Sequence, residues 1–293
     1  MTLNNPLALI TGASSGIGLE LANIYAKNSY NLILVARSKS KIESIAAQLK
    51  KNFPIEVYTF DVDLSEKGAA QKLHTFCRTS ILKPNVLINN AGFGEVGEFL
   101  KARTEIIEEM TNLNMTNLTL LCRLFGADML SQNLSGPDIY LPKNLPKSLP
   151  NKKNEIFHNH IVNIASTAAF LPGPYMAVYY ATKAYVLSFT EALSEELKSC
   201  AAQISVTAIC PGPTWSGFQE RAQLNTSMMV KSPWIMTSEQ VALAAYNAIQ
   251  GRRRVYITGW MNWLLTIISH WTPRRINTII AASINKKRNK ESL

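Results

Sequence analysis

Cysteine is scarce in this chain, with four among 293 residues, and none of them stands in a C-x-x-C pair. A chain of this length needs no disulfide framework to fold, so we expect reduced thiols in a cytoplasmic protein. The missing C-x-x-C spacing also removes a common zinc pattern, and we predict no metal site. Residues 1–6 hold no basic segment and no long apolar run, so we expect no export signal.

Acidic residues are almost absent from the C-terminal end of the chain. Residues 251–293 contain nine Lys or Arg residues and a single acid, Glu291, so most of the net charge of +10 lies there. Basicity of this kind suits an anionic membrane surface or nucleic acid, and it is equally typical of a solvated tail. Of these partners we retain the membrane surface as an alternative to the solvated tail and expect no nucleic acid.

Short apolar runs alternate with helical patterns along most of the chain. This alternation predicts an α/β, doubly wound fold, in which a parallel sheet of about seven strands has helices on both faces. The predicted strands cover residues 7–11, 31–35, 55–60, 86–89, 160–165, 205–210 and 255–257. The predicted helices cover residues 17–28, 39–51, 66–79, 104–130, 178–200 and 238–250.

The segment 131–159 breaks this alternation, because it is rich in Pro, Asn, Lys and Ser and lacks periodicity. A connection of this length is either functional or mobile, and we predict an insertion loop there. The sequence therefore predicts one domain over residues 1–258, with this insertion, and a C-terminal extension over residues 259–293.

The first predicted strand leads into a glycine loop and then a helix. The residues of this loop and of the start of the helix are Gly12, Ser14, Ser15, Gly16, Ile17 and Gly18. Glycines at this spacing allow a tight turn and a close approach of the backbone to a pyrophosphate, which the helix N-terminus then binds. The strand–loop–helix context predicts a dinucleotide site in a Rossmann fold.

No acidic residue follows the second predicted strand, where an enzyme that prefers NAD usually holds the ribose 2′-hydroxyl. The chain has Arg37 and Ser38 at this place. Arg37 can pair with a 2′-phosphate, and Ser38 can hydrogen-bond to it. The sequence therefore predicts NADP(H) as the cofactor.

Tyr179 and Lys183 lie four residues apart in a predicted helix, so they share one helical face. A free tyrosine hydroxyl has a pKa near ~10 and is a poor proton shuttle at neutral pH. A nearby ammonium favours the phenolate and lowers that pKa. We therefore predict an acid/base pair, in which Tyr180 is a rival for Tyr179.

Further short motifs follow the later predicted strands. They are Asp61-Val62, Asn89-Asn90-Ala91-Gly92, Asn114, Ser166 and Pro211-Gly212-Pro213-Thr214. With the glycine loop and the Tyr179/Lys183 pair, this order of motifs resembles the single-domain short-chain dehydrogenase/reductases from about residue 7 to residue 257. The resemblance implies an NADP(H)-dependent oxidoreductase acting on a small carbonyl or alcohol, such as a carbonyl reductase, in a homo-oligomer (dimer or tetramer). The alternative is a non-catalytic NADP(H)-binding sensor or scaffold.

The resemblance also implies a role for each catalytic residue. Tyr179 exchanges a proton with the substrate oxygen, and Lys183 lowers the pKa of Tyr179 and binds the nicotinamide ribose. Ser166 polarises the carbonyl, and Asn114 holds a water that links Lys183 to solvent. The implied cofactor contacts are Asp61 with Val62 at the adenine, Asn90, Ala91 and Gly92 beside the cofactor, and Pro211, Gly212 and Thr214 over the nicotinamide. Tyr179 and Lys183 are implied cofactor contacts as well.

The extension at residues 259–293 departs from the family pattern. Residues 255–273 are nineteen residues without a charge, but seven of them are polar enough to argue against a membrane-spanning helix. Two apolar stripes follow at helical spacing: Met261, Leu264, Leu265, Ile268 and Trp271, and then Ile276, Ile279, Ile280 and Ile284. The helices cap the substrate cleft, pack on a partner subunit or lie on an anionic membrane, and the sequence leaves these alternatives open. A lid rich in Trp and Leu would suit a hydrophobic substrate.

Overall fold

The computed structural model describes residues 5–133, 159–199, 204–215 and 235–286. Most of the predicted insertion, Cys200 and the basic tail beyond Lys286 lie outside these residues. The described strands are β1 (Leu7–Thr11), β2 (Asn31–Ala36), β3 (Val57–Asp61), β4 (Val86–Asn89), β5 (Asn159–Ile164), β6 (Ile204–Cys210), β7 (Thr214–Trp215), β8 (Met236–Thr237) and β9 (Val255–Ile257).

Within the described residues, a seven-stranded sheet has the order β3-β2-β1-β4-β5-β6-β9, and β7 pairs with β8 separately. Every neighbouring pair in the large sheet is parallel. The chain builds outward from β1 to β3, then returns to place β4 on the other side of β1. This order confirms the predicted doubly wound Rossmann fold, and the reversal between β1 and β4 opens a crevice at the carboxyl ends of the strands.

Helices cover both faces of the sheet, and this is why its central strands read as continuous apolar runs. The helices are α1 (Gly16–Lys27), α2 (Lys39–Asn52), α3 (Ala69–Thr79), α4 (Thr104–Thr111), α5 (Leu118–Asn133), α6 (Ala177–Ser199), α7 (Ser238–Gln250), α8 (Trp260–Trp271) and α9 (Arg274–Asn285). Successive β1 side chains enter opposite cores: Leu9 packs with α3, α5 and α6, and Ile10 packs with α1, α2 and α7. Burial of each such side chain stabilises the fold by roughly 1.5–3 kcal/mol.

The predicted helix 104–130 is interrupted, which corrects the sequence-based expectation. Residues Asn112–Asn117 between α4 and α5 form a π-helical turn. Asn117 is buried there, and its amide bonds the carbonyl of Leu64 (2.8 Å) and the N–H of Ala70 (3.2 Å). The wider turn aims both Asn114 and Asn117 inward, so these tertiary hydrogen bonds compete with a regular helical ladder.

Smaller boundary differences occur at the third strand and third helix. The strand begins at Val57 instead of residue 55, and the helix begins at Ala69 instead of residue 66. Gly68 has φ +80 and precedes the helix, so the left-handed backbone at this glycine sets the later start.

The C-terminal extension contains the two short helices α8 and α9, which confirms the predicted helical character. Gly259, with φ +84, turns the chain after β9 and starts α8. The division of the chain at residue 258 stays a prediction. Across the residues that the structure describes, no helix has both the length and the apolar character needed to span a bilayer.

Candidate active site

A cavity of about 700 Å³ lies in the crevice at the carboxyl ends of the central strands. The predicted residues that line it are Gly12, Ser14, Ser15, Gly16, Ile17, Arg37, Ser38, Val62, Asn90, Ala91, Gly92, Ser166, Tyr179, Lys183, Pro211, Gly212 and Thr214. Gly18, Asp61 and Asn114 are outside the lining. The fold therefore brings together the short motifs that lie far apart in the sequence.

The glycine loop after β1 is packed so closely against neighbouring groups that a side chain at Gly12 or Gly18 would collide with them. Gly12 has φ +66, and a Cβ there would lie 2.8 Å from Nδ2 of Asn90. A Cβ on Gly18 would overlap the carbonyl oxygen of Gly12, so Gly18 lets α1 approach the loop but does not reach the cavity. Ser15 precedes α1 without a side-chain cap hydrogen bond, so the first N–H groups of α1 can serve an anion.

The Asn90 loop is tied to the glycine loop by hydrogen bonds. Oγ1 of Thr11 accepts hydrogen bonds from the backbone N–H groups of Asn90 and Ala91, both at 3.0 Å. Nδ2 of Asn90 donates to the carbonyl of Thr11 at 2.9 Å. These bonds hold the carboxyl ends of β1 and β4 together on either side of the strand reversal.

One end of the cavity is cationic. Arg37 is half exposed, and its guanidinium lies 3.6 Å from the carboxylate of Asp63. Burial alone would raise the pKa of Asp63, but hydrogen bonds from Ser65 and the charge of Arg37 hold it below its ordinary value. Lys41 also lines this end. The sequence analysis did not identify Lys41, although its position one helical turn after Ser38 could have indicated that it faces the same site.

Asp61 does not line the cavity. It ends β3 with an exposed side chain, whereas its neighbours Val62 and Asp63 are lining residues. The predicted adenine contact of Asp61 therefore stays a prediction, and Asp63 is a lining acid that the sequence analysis did not identify.

The other end of the cavity is built by α6, which places Lys183 one turn after Tyr179. Lys183 is buried, and its Nζ donates to the carbonyl of Ile164 at 2.7 Å. The same atom lies 5.8 Å from the centroid of the Tyr179 ring. Burial lowers the pKa of Lys183 to about 8, and the thiol of Cys210 acts in the opposite direction.

The pKa of Tyr179 lies above the ordinary value of a tyrosine. Burial raises it to about 12, the hydrogen bond with Ser166 works against this rise, and Tyr180 adds to it. The lowering of this pKa by Lys183, which the resemblance implies, stays a prediction, and the Lys183 ammonium lies 5.8 Å from the centroid of the ring. Tyr179 is therefore protonated at neutral pH, which suits a proton donor.

Ser166 follows β5 and meets Tyr179 in the cavity. Its Oγ accepts the N–H of Ala168 at 3.1 Å, which caps the 3-10 helix Thr167–Phe170. The same hydroxyl donates to the carbonyl of Pro211 at 3.4 Å. These bonds link the loop after β5 to the loop after β6 and fix Ser166 beside the tyrosine.

Asn114 lies behind the lining in the π-helical turn and is buried. Its Nδ2 donates to the carbonyl of Phe93 at 2.9 Å and to Thr182 at 3.1 Å. A Cβ on Gly92 would lie 3.1 Å from Oδ1 of Asn114 and 3.5 Å from Nζ of Lys183. Both polar groups thus converge on Gly92, while the water relay through Asn114 stays a prediction.

The C-terminal helices reach the catalytic end through polar side chains. Asn285 accepts the hydroxyl of Tyr180 at 3.4 Å and donates to the carbonyl of Pro174 at 3.0 Å. The side chain of Asn262 packs against Gly212, where a Cβ would overlap it. Within the described residues, no Trp or Leu residue of the extension lines the cavity.

A family model described as short chain dehydrogenase matches residues 6–136 and 154–226 of the chain. These ranges cover most of the fold and all the motifs that meet in the cavity. The chain belongs to the short-chain dehydrogenase family, a family of oxidoreductases that use a nicotinamide cofactor.

Two curated relatives share part of their length with the chain. Probable oxidoreductase EphD of Mycobacterium tuberculosis is 27% identical over 206 residues, which are 70% of this chain and 30% of that protein. Very-long-chain 3-oxoacyl-CoA reductase of Rattus norvegicus is 30% identical over 196 residues, which are 66% of this chain and 54% of that protein. The chain thus spans about a third and about half of these relatives.

Solved structures resemble the fold over nearly its whole length. A short-chain dehydrogenase from Sphingobium yanoikuyae in complex with NADPH has a TM-score of 0.73 and 27% identity, with 98% of both chains covered. A bulky-bulky ketone specific alcohol dehydrogenase from Comamonas testosteroni has a TM-score of 0.70 and 25% identity, with 99% and 98% covered. A Burkholderia phymatum short-chain dehydrogenase with NAD, at 22% identity and a TM-score of 0.74 over 99% of both chains, shows the shared fold.

Proposed function

We propose that the chain is an NADP(H)-dependent oxidoreductase that transfers a hydride between the nicotinamide and a carbonyl or alcohol substrate. The observation that carries this proposal is the meeting of Ser166, Tyr179 and Lys183 at one end of a cavity whose other end is a glycine loop. Neither feature alone defines an oxidoreductase, but their connection in one cavity joins a dinucleotide site to a proton donor.

The residues at the cationic end fit NADP(H) better than NAD(H). Arg37 and Lys41 supply two cations beside the loop after β2, and Ser38 supplies a hydroxyl. A 2′-phosphate is a dianion that such groups bind by charge-assisted hydrogen bonds. Asp63 already engages Arg37 at 3.6 Å, so phosphate binding competes with this ion pair.

The bound cofactor supplies or accepts the hydride. In the direction of reduction, Tyr179 gives its proton to the substrate oxygen as the carbonyl carbon gains the hydride, and the product is an alcohol. Ser166 donates a hydrogen bond to the same oxygen and stabilises its developing charge. Lys183 then returns a proton towards Tyr179, and its pKa of about 8, well below the ordinary value of a lysine, favours this transfer.

The catalytic end favours a substrate with apolar substituents. Ala168, Met176, Tyr180 and Pro213 contribute apolar surface to this end of the cavity. A ketone beside this surface fits the kinds of substrate that the names of the Rattus and Comamonas relatives give, an oxoacyl thioester and a bulky ketone. We propose a hydrophobic ketone as the substrate class.

The proposal is tested by consumption of NADPH with a panel of aliphatic, acyl, steroidal and aromatic carbonyls. The expected result is turnover on at least one class, with a preference for NADPH over NADH. Saturable binding of NADPH without turnover on any of these carbonyls would overturn the oxidoreductase and favour the non-catalytic sensor or scaffold.

A further inference from the structure

In the helix α8 the apolar face points outward to solvent and the polar face points inward, which is the reverse of a normal surface helix. Its outer stripe recurs at intervals of three and four residues, and every member is exposed: Trp260, Trp263, Leu264, Ile267, Ile268 and Trp271. The inner side carries Asn262, Thr266 and Ser269. Asn262 donates to the carbonyl of Thr258 at 2.7 Å, and Thr266 is buried.

The helix α9 repeats this reversal. Asn277 and Asn285 are buried on its inner side, and Nδ2 of Asn277 donates to the carbonyl of Ser269 at 2.6 Å. Ile276, Ile279 and Ile280 are exposed on its outer side. Both helices therefore place polar side chains on their inner sides, where Asn285 joins α9 to Tyr180 and Pro174, and both expose apolar side chains on their outer sides.

An apolar stripe that faces water is unfavourable for an isolated helix, because the hydrophobic effect drives such a face onto a partner. Large exposed apolar patches on soluble proteins are typical of docking sites. Three of the five tryptophans of the chain lie in this surface, and tryptophan prefers the boundary between lipid and water.

The charges around this surface identify the kind of partner. Arg274 and Arg275 are exposed in the first turn of α9, and Lys286 is exposed directly after the end of this helix. The sequence has no acid from residue 251 to residue 286. A second copy of the chain would bring the arginines of α9 towards each other across a two-fold axis, because α8 and α9 themselves carry no acid. Anionic lipid headgroups supply the missing negative charge.

We propose that α8 and α9 together dock on an anionic membrane surface. The Trp, Leu and Ile side chains enter the headgroup boundary, and the flanking Arg and Lys side chains bind the headgroups. This surface does not depend on the catalytic proposal, because it excludes Tyr179, Lys183 and the cavity.

The test is co-sedimentation of the full chain with vesicles of phosphatidylcholine, with and without phosphatidylglycerol. The informative variant is Trp263→Gln with Ile279→Gln, and the matched control is Leu100→Gln with Leu243→Gln, which are exposed apolar residues elsewhere. We expect the wild-type chain to bind the anionic vesicles in a salt-sensitive manner, with a blue shift of its tryptophan emission. The Trp263→Gln/Ile279→Gln variant should bind about tenfold more weakly, and the control variant should bind like the wild type. Thermal unfolding of each variant verifies that it is folded.

Several results would overturn the proposal. One is a folded wild-type chain that does not sediment with anionic vesicles, and another is unchanged binding by the Trp263→Gln/Ile279→Gln variant. A third is a dimer in analytical ultracentrifugation that dissociates only in that variant, because the occupant of the surface would then be a second copy.

Discussion

The two ends of the cavity are built from different groups. At the glycine-loop end, the backbone and the half-exposed Arg37 face the cavity, and glycines allow the backbone groups to approach each other closely. At the catalytic end, the half-buried Tyr179 and the buried Lys183 face the space, and burial has shifted their pKa values in opposite directions. This difference indicates that the first end suits the binding of an anionic cofactor and the second end suits the transfer of a proton.

The largest expected effect is at the catalytic end, with Tyr179→Phe. Removal of the proton donor lowers turnover by about 10²–10⁴-fold and leaves NADPH affinity unchanged. The matched control is Tyr180→Phe, which removes only a hydroxyl bound to Asn285 at 3.4 Å. Steady-state kinetics that gave Tyr180→Phe the larger loss would reverse the assignment of the two tyrosines.

A second prediction concerns Lys183 and pH. Its pKa falls from 10.5 to about 8 on folding, so between these values the unfolded chain binds the additional proton. The free energy of unfolding therefore rises with pH over this window, by up to roughly 3 kcal/mol. Denaturant titrations of the protein alone at pH 8 and pH 10 should show this rise in wild type relative to Lys183→Met. An equal pH dependence of the free energy of unfolding in both proteins would refute the lowered pKa of Lys183.

A third prediction concerns the binding end, with Arg37→Asp. Loss of the cation and a new acid beside Asp63 weaken NADPH binding by about 10–100-fold, because a charge-assisted contact to the 2′-phosphate is removed. NADH has no such phosphate, so its affinity changes far less. Calorimetry measures both cofactors, with Lys50→Asp, at the far end of α2, as the control. Equal losses for NADPH and NADH would contradict the assignment of Arg37.

The smallest effect is expected for Gly18→Ala. The new methyl group overlaps the carbonyl oxygen of Gly12 and forces α1 away from the loop, which destabilises the fold by about 1–2 kcal/mol. Gly97→Ala is the control, because a Cβ there meets nothing within 4 Å. Thermal unfolding compares the two variants. A Gly18→Ala protein as stable as the Gly97→Ala protein would show that the helix does not need this close approach.

Much of the fold was predictable from local signals. Apolar runs such as residues 7–11 and 31–35 mark strands buried on both faces, and the glycine loop has a spacing that its backbone geometry requires. The motif residues after each strand meet because the carboxyl ends of parallel strands share one edge of the sheet. The same logic explains why Ser166, which follows β5, reaches the cavity, whereas Tyr179 and Lys183 were predicted from their spacing on one helical face.

The features that sequence reasoning missed depend on tertiary contacts. The π-helical turn follows from hydrogen bonds of Asn114 and Asn117 to distant backbone groups. The contact between Asn285 and Tyr180 joins residues 105 positions apart and leaves no local pattern. Helical periodicity predicted an apolar stripe in each of α8 and α9, but the outward stripe of α8 contains Trp260, Trp263 and Ile267, which the predicted stripe lacked. Periodicity also does not determine which face of a helix points inward, and here the apolar face points out.

The most direct test of this division of roles measures turnover and the NADPH dissociation constant for Tyr179→Phe and Arg37→Asp together, on a carbonyl that the wild type reduces. The account predicts opposite results: Tyr179→Phe binds NADPH normally and barely turns over, while Arg37→Asp binds it weakly but turns over at saturating NADPH. Loss of turnover in Arg37→Asp at saturation as severe as that in Tyr179→Phe, or loss of NADPH affinity in Tyr179→Phe, would contradict it.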